Sequence, residues 1–377
     1  MVIKKVELKN FKCFELLKLP LAELTLLAGS NASGKSSLLQ ALVVLHQTIR
    51  ENEWSTRLIL NGSILNLGTV QDVVNKIHGR NEFELALESE KSTYRWRFIG
   101  DRQEMSMAVN LIPQDENHAD ILLNRLLPTA AGETPEICLT LEALTYITAE
   151  RIGPRDFYQL EDRSTIQTVG PKGEHAVSCL YRLAEKPVSN PICIDTAPPT
   201  LMRQVEAWMQ RFFPGCGIEV APIARMNAVS LGIRTSAETD YHRPINVGFG
   251  LTQVLPILVA ILSANRNDLI LIENPEVHLH PSGQALMGYF LAMAANAGSQ
   301  IIIETHSDHV LNGIRRAVRK QVLTPDSIAL HFFRPSAQGL DQVVSPQLDA
   351  SGNIDLWPEG FFDQFDKDMN HFAGWGD

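Results

Sequence analysis

The chain has 377 residues, enough for one large or two to three ordinary domains, and its 45% hydrophobic and 20% charged residues are typical of a globular protein with an ample core. A formal net charge of −10 argues against a uniformly basic surface for nucleic acid. The five cysteines are scattered without a CxxC pair, and the apolar run at 255–262 is too short to cross a bilayer. With no apolar signal-peptide stretch at the start, we expect a cytoplasmic protein with no membrane role.

The N-terminal region has the order strand, glycine-bounded loop, helix. Strands are predicted at Ile3–Leu8 and Leu24–Ala28, and leucines at helical spacing follow the segment Gly29–Ser36. The loop reads GSNASGKS, the pattern of a phosphate-binding P-loop, in the context that such a loop requires.

The P-loop pattern assigns a role to each residue type. Its glycines permit the sharp backbone path that turns successive N–H groups toward phosphate oxygens. Lys35 would reach the β- and γ-phosphates, and the Ser36 hydroxyl would bind Mg²⁺. We therefore predict ATP and Mg²⁺ as cofactors. The predicted nucleotide-binding residues of the loop are Gly29, Ser30, Asn31, Ala32, Ser33, Gly34, Lys35, Ser36 and Ser37.

Residues 51–240 change to shorter segments of mixed pattern. Alternation at Phe83–Leu87 and Tyr94–Phe98 predicts antiparallel hairpins. The remaining predictions are a helix at Asp120–Leu127, a strand at Leu144–Ile147, an amphipathic helix at Leu201–Phe213 and β structure at 217–235.

The C-terminal third returns to an α/β pattern. Two fully apolar runs, Leu269–Ile272 and Ile301–Ile303, flank a helix that begins at Pro281 and closes near Gly298. Two buried strands joined by a helix indicate a parallel βαβ unit. The predicted fold class is α/β, with a split P-loop core at 1–50 and 241–335, an inserted α+β region at 51–240, and an aromatic and acidic tail at 336–377.

Three further segments carry candidate chemistry. Glu273 ends the apolar strand at 269–272, where a carboxylate can hold a Mg²⁺-bound water beside a P-loop. The small residues of Gly248–Gln253 stand at the entrance of a helix, where free N–H groups suit an anion. Because the chain's own P-loop already serves the phosphates, this second anion site makes most sense across a dimer. His306, after the strand at 301–303, can hydrogen-bond the γ-phosphate or the attacking water.

Four sequence segments together resemble the ABC-type ATPase heads of the RecF, SMC and overcoming-lysogenization-defect group. They are Asn10–Lys12, Gly248–Gly250, Pro275–Pro281 and Thr305–Ser307, within about 1–50 and 245–335. The loop ERIGPR at 150–155 and the tail PEGFFD at 358–363 further resemble stand-alone bacterial ATPases of the "AAA family" that are often found in anti-phage defence operons.

The resemblance implies two heads that sandwich two ATP molecules, each between one P-loop and the other chain's signature segment, here Gly248, Phe249, Gly250 and Gln253. It also implies that His306 is a switch histidine, that Gln71 senses Mg²⁺ and that Lys12 touches the nucleotide. The expected partners are a second copy of the chain and a separate effector such as a nuclease. Only about 45 residues follow the strand at 328–333, so we expect no appended nuclease domain.

One position departs from the family pattern. The family usually has an acid pair before the proline, and here Asn274 follows Glu273. An asparagine can orient water but cannot take its proton, and loss of a base costs about 10²–10⁴-fold in rate. Glu276 or His306 would substitute. We therefore predict slow hydrolysis and a long-lived ATP-bound dimer that acts as a switch.

Weaker patterns leave alternatives open. The four residues His278, His280, His306 and His309 suggest a zinc cluster or a dimer-seam role, and the four residues Arg315, Arg316, Arg319 and Lys320 suggest a solvated helix face or a DNA contact. Arg151, Arg155 and Lys172 would serve as phosphate sensors or nucleic-acid contacts, and the aromatic tail would cover the core or dock a partner. Two other functions stay open, a RecF-like DNA-binding repair ATPase and a pseudo-ATPase scaffold that never hydrolyses ATP.

Overall fold

A computed structural model describes residues 2–51, 56–76, 79–111, 123–124, 126–128, 136–161, 168–335, 341–362 and 364–373. The strands in these ranges are, in chain order, β1 (Ile3–Phe11), β2 (Phe14–Pro20), β3 (Leu24–Gly29), β4 (Arg57–Ile59), β5 (Glu82–Ser89), β6 (Thr93–Ile99), β7 (Ser106–Leu111), β8 (Leu123–Asn124), β9 (Leu127–Pro128), β10 (Thr145–Ile147), β11 (Tyr158–Gln159), β12 (Gly217–Pro222), β13 (Ala228–Arg234), β14 (Leu269–Glu273), β15 (Gln300–Glu304), β16 (Ile328–Phe333) and β17 (Val343–Val344). The α-helices are α1 (Lys35–Glu51), α2 (Val70–Val73), α3 (Glu136–Glu142), α4 (Ala176–Arg182), α5 (Leu201–Phe212), α6 (Phe249–Ser263), α7 (Pro281–Asn296), α8 (Asp308–Arg319) and α9 (Gln364–Phe372).

The chain divides into two compact units. The first contains residues 1–22, 30–144 and 333–342, and the second contains 23–29, 145–332 and 343–377. These units cross the predicted domain ranges, because β1 pairs with β5 in one sheet and β10 pairs with β14 in another. The predicted split into a nucleotide core, an insertion and a tail is not tested by this division and stays a prediction.

The first unit is built on an antiparallel sheet in the order β2-β1-β5-β6-β7-β4. Its strands alternate apolar and charged residues, so one face is buried and the other carries cross-strand ion pairs. On the buried face the Phe83 ring lies 4.9 Å from Phe11 and 4.8 Å from Phe98, measured between ring centroids. The predicted hairpins at Phe83–Leu87 and Tyr94–Phe98 are confirmed.

The second unit contains the sheet β10-β14-β15-β3-β16-β17, and β10, β14, β15 and β3 run parallel. Strands β14 and β15 are apolar along almost their whole length because both of their faces are covered. Helix α7 connects β14 to β15, which confirms the predicted βαβ unit. The carboxyl ends of four parallel strands therefore meet at one edge of this sheet.

Helices α7 and α8 pack without side chains between them at two glycines. A Cβ on Gly288 would lie 2.0 Å from the carbonyl oxygen of Val310, and one on Gly313 would lie 2.1 Å from that of Ala285. This close approach fixes α8, and with it the loop 305–307 that leads from β15 into α8.

The rest of the second unit adds a small sheet, β11-β13-β12, and helix α5. Helix α5 spans the predicted amphipathic segment, and its Trp208 ring lies 4.6 Å from the Phe290 ring, so core packing accounts for its apolar face. In the tail, Phe361 is fully buried with its ring 5.4 Å from Phe332, as expected for a core-covering segment.

The described part of Asp120–Leu127 contains strand β8 and the first residue of β9, so the helix predicted there is wrong. The sequence gives no sign of these strands because a two-residue strand is defined by its pairing and has no hydrophobic periodicity. The other residues of that segment lie outside the described ranges. Among the described helices, none has the length and apolar character needed to span a membrane.

Candidate functional site: a P-loop and an acidic strand end

The P-loop follows β3 directly and leads into α1. Three of its residues adopt positive φ, namely Gly29 at 137°, Ala32 at 60° and Gly34 at 108°. A Cβ on Gly34 would lie 2.5 Å from Phe14 Cζ and 2.6 Å from Cys13 Sγ, so only glycine fits against the β1–β2 turn. The loop therefore closes around the N-terminal end of α1, as the sequence predicts.

Polar contacts inside the loop hold its lysine in place. The ammonium of Lys35 donates to the Ser30 carbonyl oxygen at 2.8 Å, and the Ser33 hydroxyl donates to the same oxygen at 2.8 Å. Lys35 is buried, and no acidic residue lies in the first turn of α1. The helix N-terminus and the lysine together make this end of α1 electropositive.

The turn between β1 and β2 brings Lys12 to α1. Lys12 adopts φ 48° and donates through its ammonium to the Gln40 side-chain oxygen. Burial lowers the pKa of Lys12 below its ordinary value. A cavity of about 390 Å³ opens beside this turn, lined by Lys12, Cys13, Asp72, Val74, Asn75 and Lys76. Gln71, the predicted Mg²⁺ sensor, lies in the short helix α2 and is exposed.

In the second unit, Glu273 ends β14 at the carboxyl edge of the sheet. Its carboxylate accepts a hydrogen bond from the Tyr146 hydroxyl at 2.6 Å and another from the Ala149 backbone N–H at 3.1 Å. The Tyr146 side chain is buried, and both this burial and the neighbouring Glu273 carboxylate raise the pKa of its phenol. Tyr146 is therefore the donor, and each carboxylate oxygen of Glu273 is held by one donor.

Arg151 braces the backbone that follows β14. Its guanidinium donates to the carbonyl oxygens of Glu273 at 2.9 Å and Asn274 at 2.7 Å, and more weakly to Thr148 at 3.2 Å. Burial lowers the pKa of Arg151 to about 10, although the Glu276 and Glu273 carboxylates act in the opposite direction. The sequence predicts that Arg151 is either a phosphate sensor or a nucleic-acid contact. In the structure Arg151 is buried and holds the backbone after β14.

Asn274 and Glu276 connect this strand end to the loop after β15. Asn274 adopts φ 43°, and its backbone N–H donates to the Glu304 carbonyl oxygen at 2.8 Å. Glu276 accepts from the Thr305 hydroxyl at 2.8 Å, from the His306 backbone N–H at 2.9 Å and from the Asn274 side-chain amide at 3.3 Å. The Glu276 carboxylate is thus a structural link, while the His306 side chain lies at the surface.

The signature segment forms the cap and first turns of α6. Gly248 is the N-cap residue, and both Gly248 and Phe249 are exposed. A Cβ on Gly250 would lie 2.7 Å from the His278 carbonyl oxygen, so this glycine lets the helix approach the loop after β14. Gln253 is buried and donates to the Ile152 carbonyl oxygen at 3.1 Å, which places its amide inside the fold and not with the exposed part of the segment.

The second unit therefore brings Glu273, Asn274, Glu276 and His306 together at one sheet edge. Sequence reasoning missed Tyr146, since a tyrosine in a three-residue strand carries no motif. Within the described residues, no group of three His, Cys, Asp or Glu side chains is arranged to hold a metal ion, so the zinc interpretation of the histidines gains no support. Arg315 of the basic group donates to the Gly352 carbonyl oxygen at 2.7 Å, which places it against the tail.

In the first unit the P-loop fits the phosphates of a nucleotide, and in the second unit Glu273 fits a Mg²⁺-bound water. The glycine-lined turn at Gly34 offers backbone N–H groups at the start of a helix, and Lys35 and the Ser36 hydroxyl stand in the first turn of that helix. Two donors on the Glu273 carboxylate leave about two of its four lone-pair sites for a metal-bound water. The metal ion held by these residues would supply positive charge to neutralise the phosphates.

The fold and these residues define a P-loop ATPase of the ABC type with an SMC head-like α/β fold. The family model described as "AAA ATPase domain" matches residues 1–136 and 227–311, more than half of the chain. The chain belongs to this family. A second model, described as "Protein of unknown function (DUF3696)", matches residues 323–371.

The chain is also similar to one curated protein and to solved structures. The chain is 25% identical over 386 aligned residues to the "OLD nuclease" of Thermus scotoductus, with 94% of this chain and 68% of the relative covered. An SMC head bound to the C-winged helix domain of ScpA has a TM-score of 0.52 at 14% identity and covers 93% of this chain and 98% of its own. An SMC head with an extended coiled coil, bound to the C-terminal domain of ScpA from Pyrococcus furiosus, has a TM-score of 0.52 at 12% identity, with 99% of each chain covered.

Proposed function

We propose that the protein is an ATP-dependent switch. It binds ATP and Mg²⁺, closes into a homodimer around the nucleotide, hydrolyses it slowly and controls a separate effector. The observation that carries the proposal is the arrangement at the end of β14. Glu273 is oriented there by two donors, and the position that usually carries the catalytic acid is Asn274, held at φ 43°.

Nucleotide binding is assigned to the residues that the sequence predicts. The backbone of Ser30–Gly34, the Lys35 ammonium and the Ser36 and Ser37 hydroxyls would hold the phosphates and Mg²⁺, and Lys12 would contact the nucleotide from the β1–β2 turn. The cavity beside that turn is large enough for a nucleoside, and its Asp72 carboxylate offers an acceptor for an exocyclic amine. Glu273, with Gln71 as a second candidate, would orient the Mg²⁺-bound water.

Dimerisation is supported by the surface at the start of α6. Gly248 and Phe249 are exposed, and none of the described atoms lies within 4 Å of a Cβ built on Gly248. A second copy would therefore reach the helix N-terminus without displacing other groups, and the terminus would meet the γ-phosphate in the partner's P-loop.

Slow hydrolysis follows from the groups available to activate water. Asn274 cannot accept a proton, and Glu276 already accepts three hydrogen bonds within the fold. This leaves the exposed His306 as the group that would orient or deprotonate water. Phosphoryl transfer depends more on positioning and charge than on a base, so activity is lowered and not abolished.

The test compares the wild type with Lys35→Ala. We expect ATP with Mg²⁺ to convert the wild type to a dimer in light scattering, at a turnover below about 10 s⁻¹, the median for enzymes. Lys35→Ala should stay monomeric. A wild-type turnover far above that value, or a dimer that forms equally in Lys35→Ala, would refute the switch.

The effector is sought by co-purification with proteins encoded beside the gene, again with Lys35→Ala as the control. The name of the relative "OLD nuclease" and the resemblance to defence ATPases favour an effector that acts on nucleic acid, in an anti-phage role. Salt-dependent DNA binding by the purified chain would favour the RecF-like alternative.

A second function, a scaffold that binds ATP without hydrolysis, is favoured by Asn274. ATP that stays intact after long incubation with Mg²⁺ would establish it.

A further inference from the structure

Strand β10 lies outside the residues that the AAA ATPase family model matches. It lies at Thr145–Ile147, whereas the AAA ATPase family model matches residues 1–136 and 227–311. In the structure β10 pairs in parallel with β14, with Tyr146 opposite Leu271 and Ile147 opposite Ile272. The chain after β10 therefore passes the carboxyl end of β14, where Glu273 lies.

This segment holds the Glu273 side chain directly. Tyr146 donates to one carboxylate oxygen at 2.6 Å and the Ala149 N–H donates to the other at 3.1 Å. Because the tyrosine ring is only 6% exposed and packed within the sheet, its hydroxyl has a fixed position. The two bonds restrict the last torsion of the Glu273 side chain, which is otherwise a broad rotation.

The same segment holds the backbone on which Glu273 stands. Arg151 donates to the carbonyl oxygens of Glu273 and Asn274 at 2.9 and 2.7 Å. The planar guanidinium spans two successive carbonyls with one fork, which a lysine cannot do. Arg151 thus opposes rotation of the peptide that leads into Asn274, the residue with φ 43°.

We propose that Tyr146, the Ala149 amide and Arg151 form a positioning clamp that fixes the Glu273 carboxylate for the Mg²⁺-bound water and so sets the Mg²⁺ affinity of the nucleotide site. The clamp rests on the proposed role of Glu273. It assigns to a segment outside the matched family ranges a direct part in metal-dependent nucleotide binding. Tyr146 and Arg151 act through Glu273 and are positioning residues.

The experiment measures the binding of a fluorescent, non-hydrolysable ATP analogue, first in EDTA and then against increasing Mg²⁺. The variant is Tyr146→Phe, which removes one oxygen. Its matched control is Tyr158→Phe, since Tyr158 is another tyrosine of the same unit with 6% exposure, on β11. Removing a partner that orients a metal-binding group typically costs about 10–100-fold in metal affinity. We therefore expect Tyr146→Phe to raise the half-saturating Mg²⁺ concentration about tenfold or more, with unchanged affinity in EDTA.

The outcomes are distinct. Equal Mg²⁺ requirements of Tyr146→Phe and Tyr158→Phe overturn the clamp and leave the proposed function standing. A wild type whose nucleotide affinity does not respond to Mg²⁺ overturns the proposed role of Glu273 and the clamp with it. If Tyr146→Phe does not fold, Arg151→Lys takes its place in the same titration, and a half-saturating Mg²⁺ concentration equal to that of the wild type overturns the clamp.

Discussion

His46 makes the stability of the P-loop unit depend on pH in a way that the structure quantifies. It lies on α1, fully enclosed, with Nδ1 2.5 Å from the carbonyl oxygen of Leu141. Because a carbonyl only accepts, Nδ1 carries the proton and the neutral ring satisfies the contact. Burial, with a smaller effect of the nearby Arg50 charge, lowers the pKa of His46 from 6.5 to about 4, although the Leu141 carbonyl acts in the opposite direction.

The direction in which stability changes with pH follows from the protons that His46 binds in the folded and unfolded chain. Between pH 6.5 and about 4 the unfolded chain binds a proton at His46 that the folded chain does not, so stability falls as the pH falls through this window and is unaffected above it. The full difference corresponds to about 3 kcal/mol, and most of it is lost by about pH 4.5.

The perturbation is His46→Gln, whose amide can still donate to the Leu141 carbonyl but does not titrate in this range. We expect the free energy of unfolding of the variant, relative to that of the wild type, to rise by about 2–3 kcal/mol as the pH is lowered from about 7.5 to about 4.5. The free energy of unfolding is measured by urea unfolding at several pH values, with hydrogen exchange of α1 peptides as the readout. His242→Gln, at an exposed histidine of the other unit, is the control. A difference between His46→Gln and wild type that does not change with pH would refute the assignment.

Two other pairs of variants test the site. Gly250→Ala places a Cβ 2.7 Å from the His278 carbonyl oxygen and should cost about 1–3 kcal/mol in urea unfolding. In Gly248→Ala the new Cβ has no neighbour within 4 Å in the described part of the chain, so stability should change by less than about 0.5 kcal/mol. Equal costs would contradict the close packing of α6. Arg151→Met removes a buried cation from two carbonyl oxygens and should cost about 3–5 kcal/mol, with only partial recovery in Arg151→Lys. A loss below about 1 kcal/mol for Arg151→Met would show that the brace is dispensable.

Much of the P-loop and of the βαβ unit could be predicted because their signals are local. The P-loop needs a strand, two glycines, a lysine and a helix within a short stretch, and the structure contains these elements as β3, a loop with positive φ at Gly29 and Gly34, and α1. The run Leu269–Ile272 is apolar throughout, as a strand covered on both faces must be.

The clamp on Glu273 could not be predicted because its parts are distant in sequence. Tyr146 and Glu273 are 127 residues apart, and their meeting depends on the pairing of β10 with β14, for which a three-residue strand gives no periodic signal. The sequence leaves the role of Arg151 open for the same reason. A basic residue in a glycine- and proline-rich loop gives the same sequence pattern whether it contacts phosphate or backbone carbonyls.

The backbone offers a physical account of why an asparagine follows Glu273. At φ 43° a side chain with a Cβ crowds the following carbonyl, at a cost of roughly 1–2 kcal/mol that asparagine bears better than glutamate. The conformation is enforced from three directions, since Arg151 binds the Asn274 carbonyl, the Glu304 carbonyl accepts its N–H, and Glu276 accepts its amide. Under the proposed function, a strand end braced in this way would keep its geometry with asparagine in place of the usual acid, which suits prolonged binding of ATP.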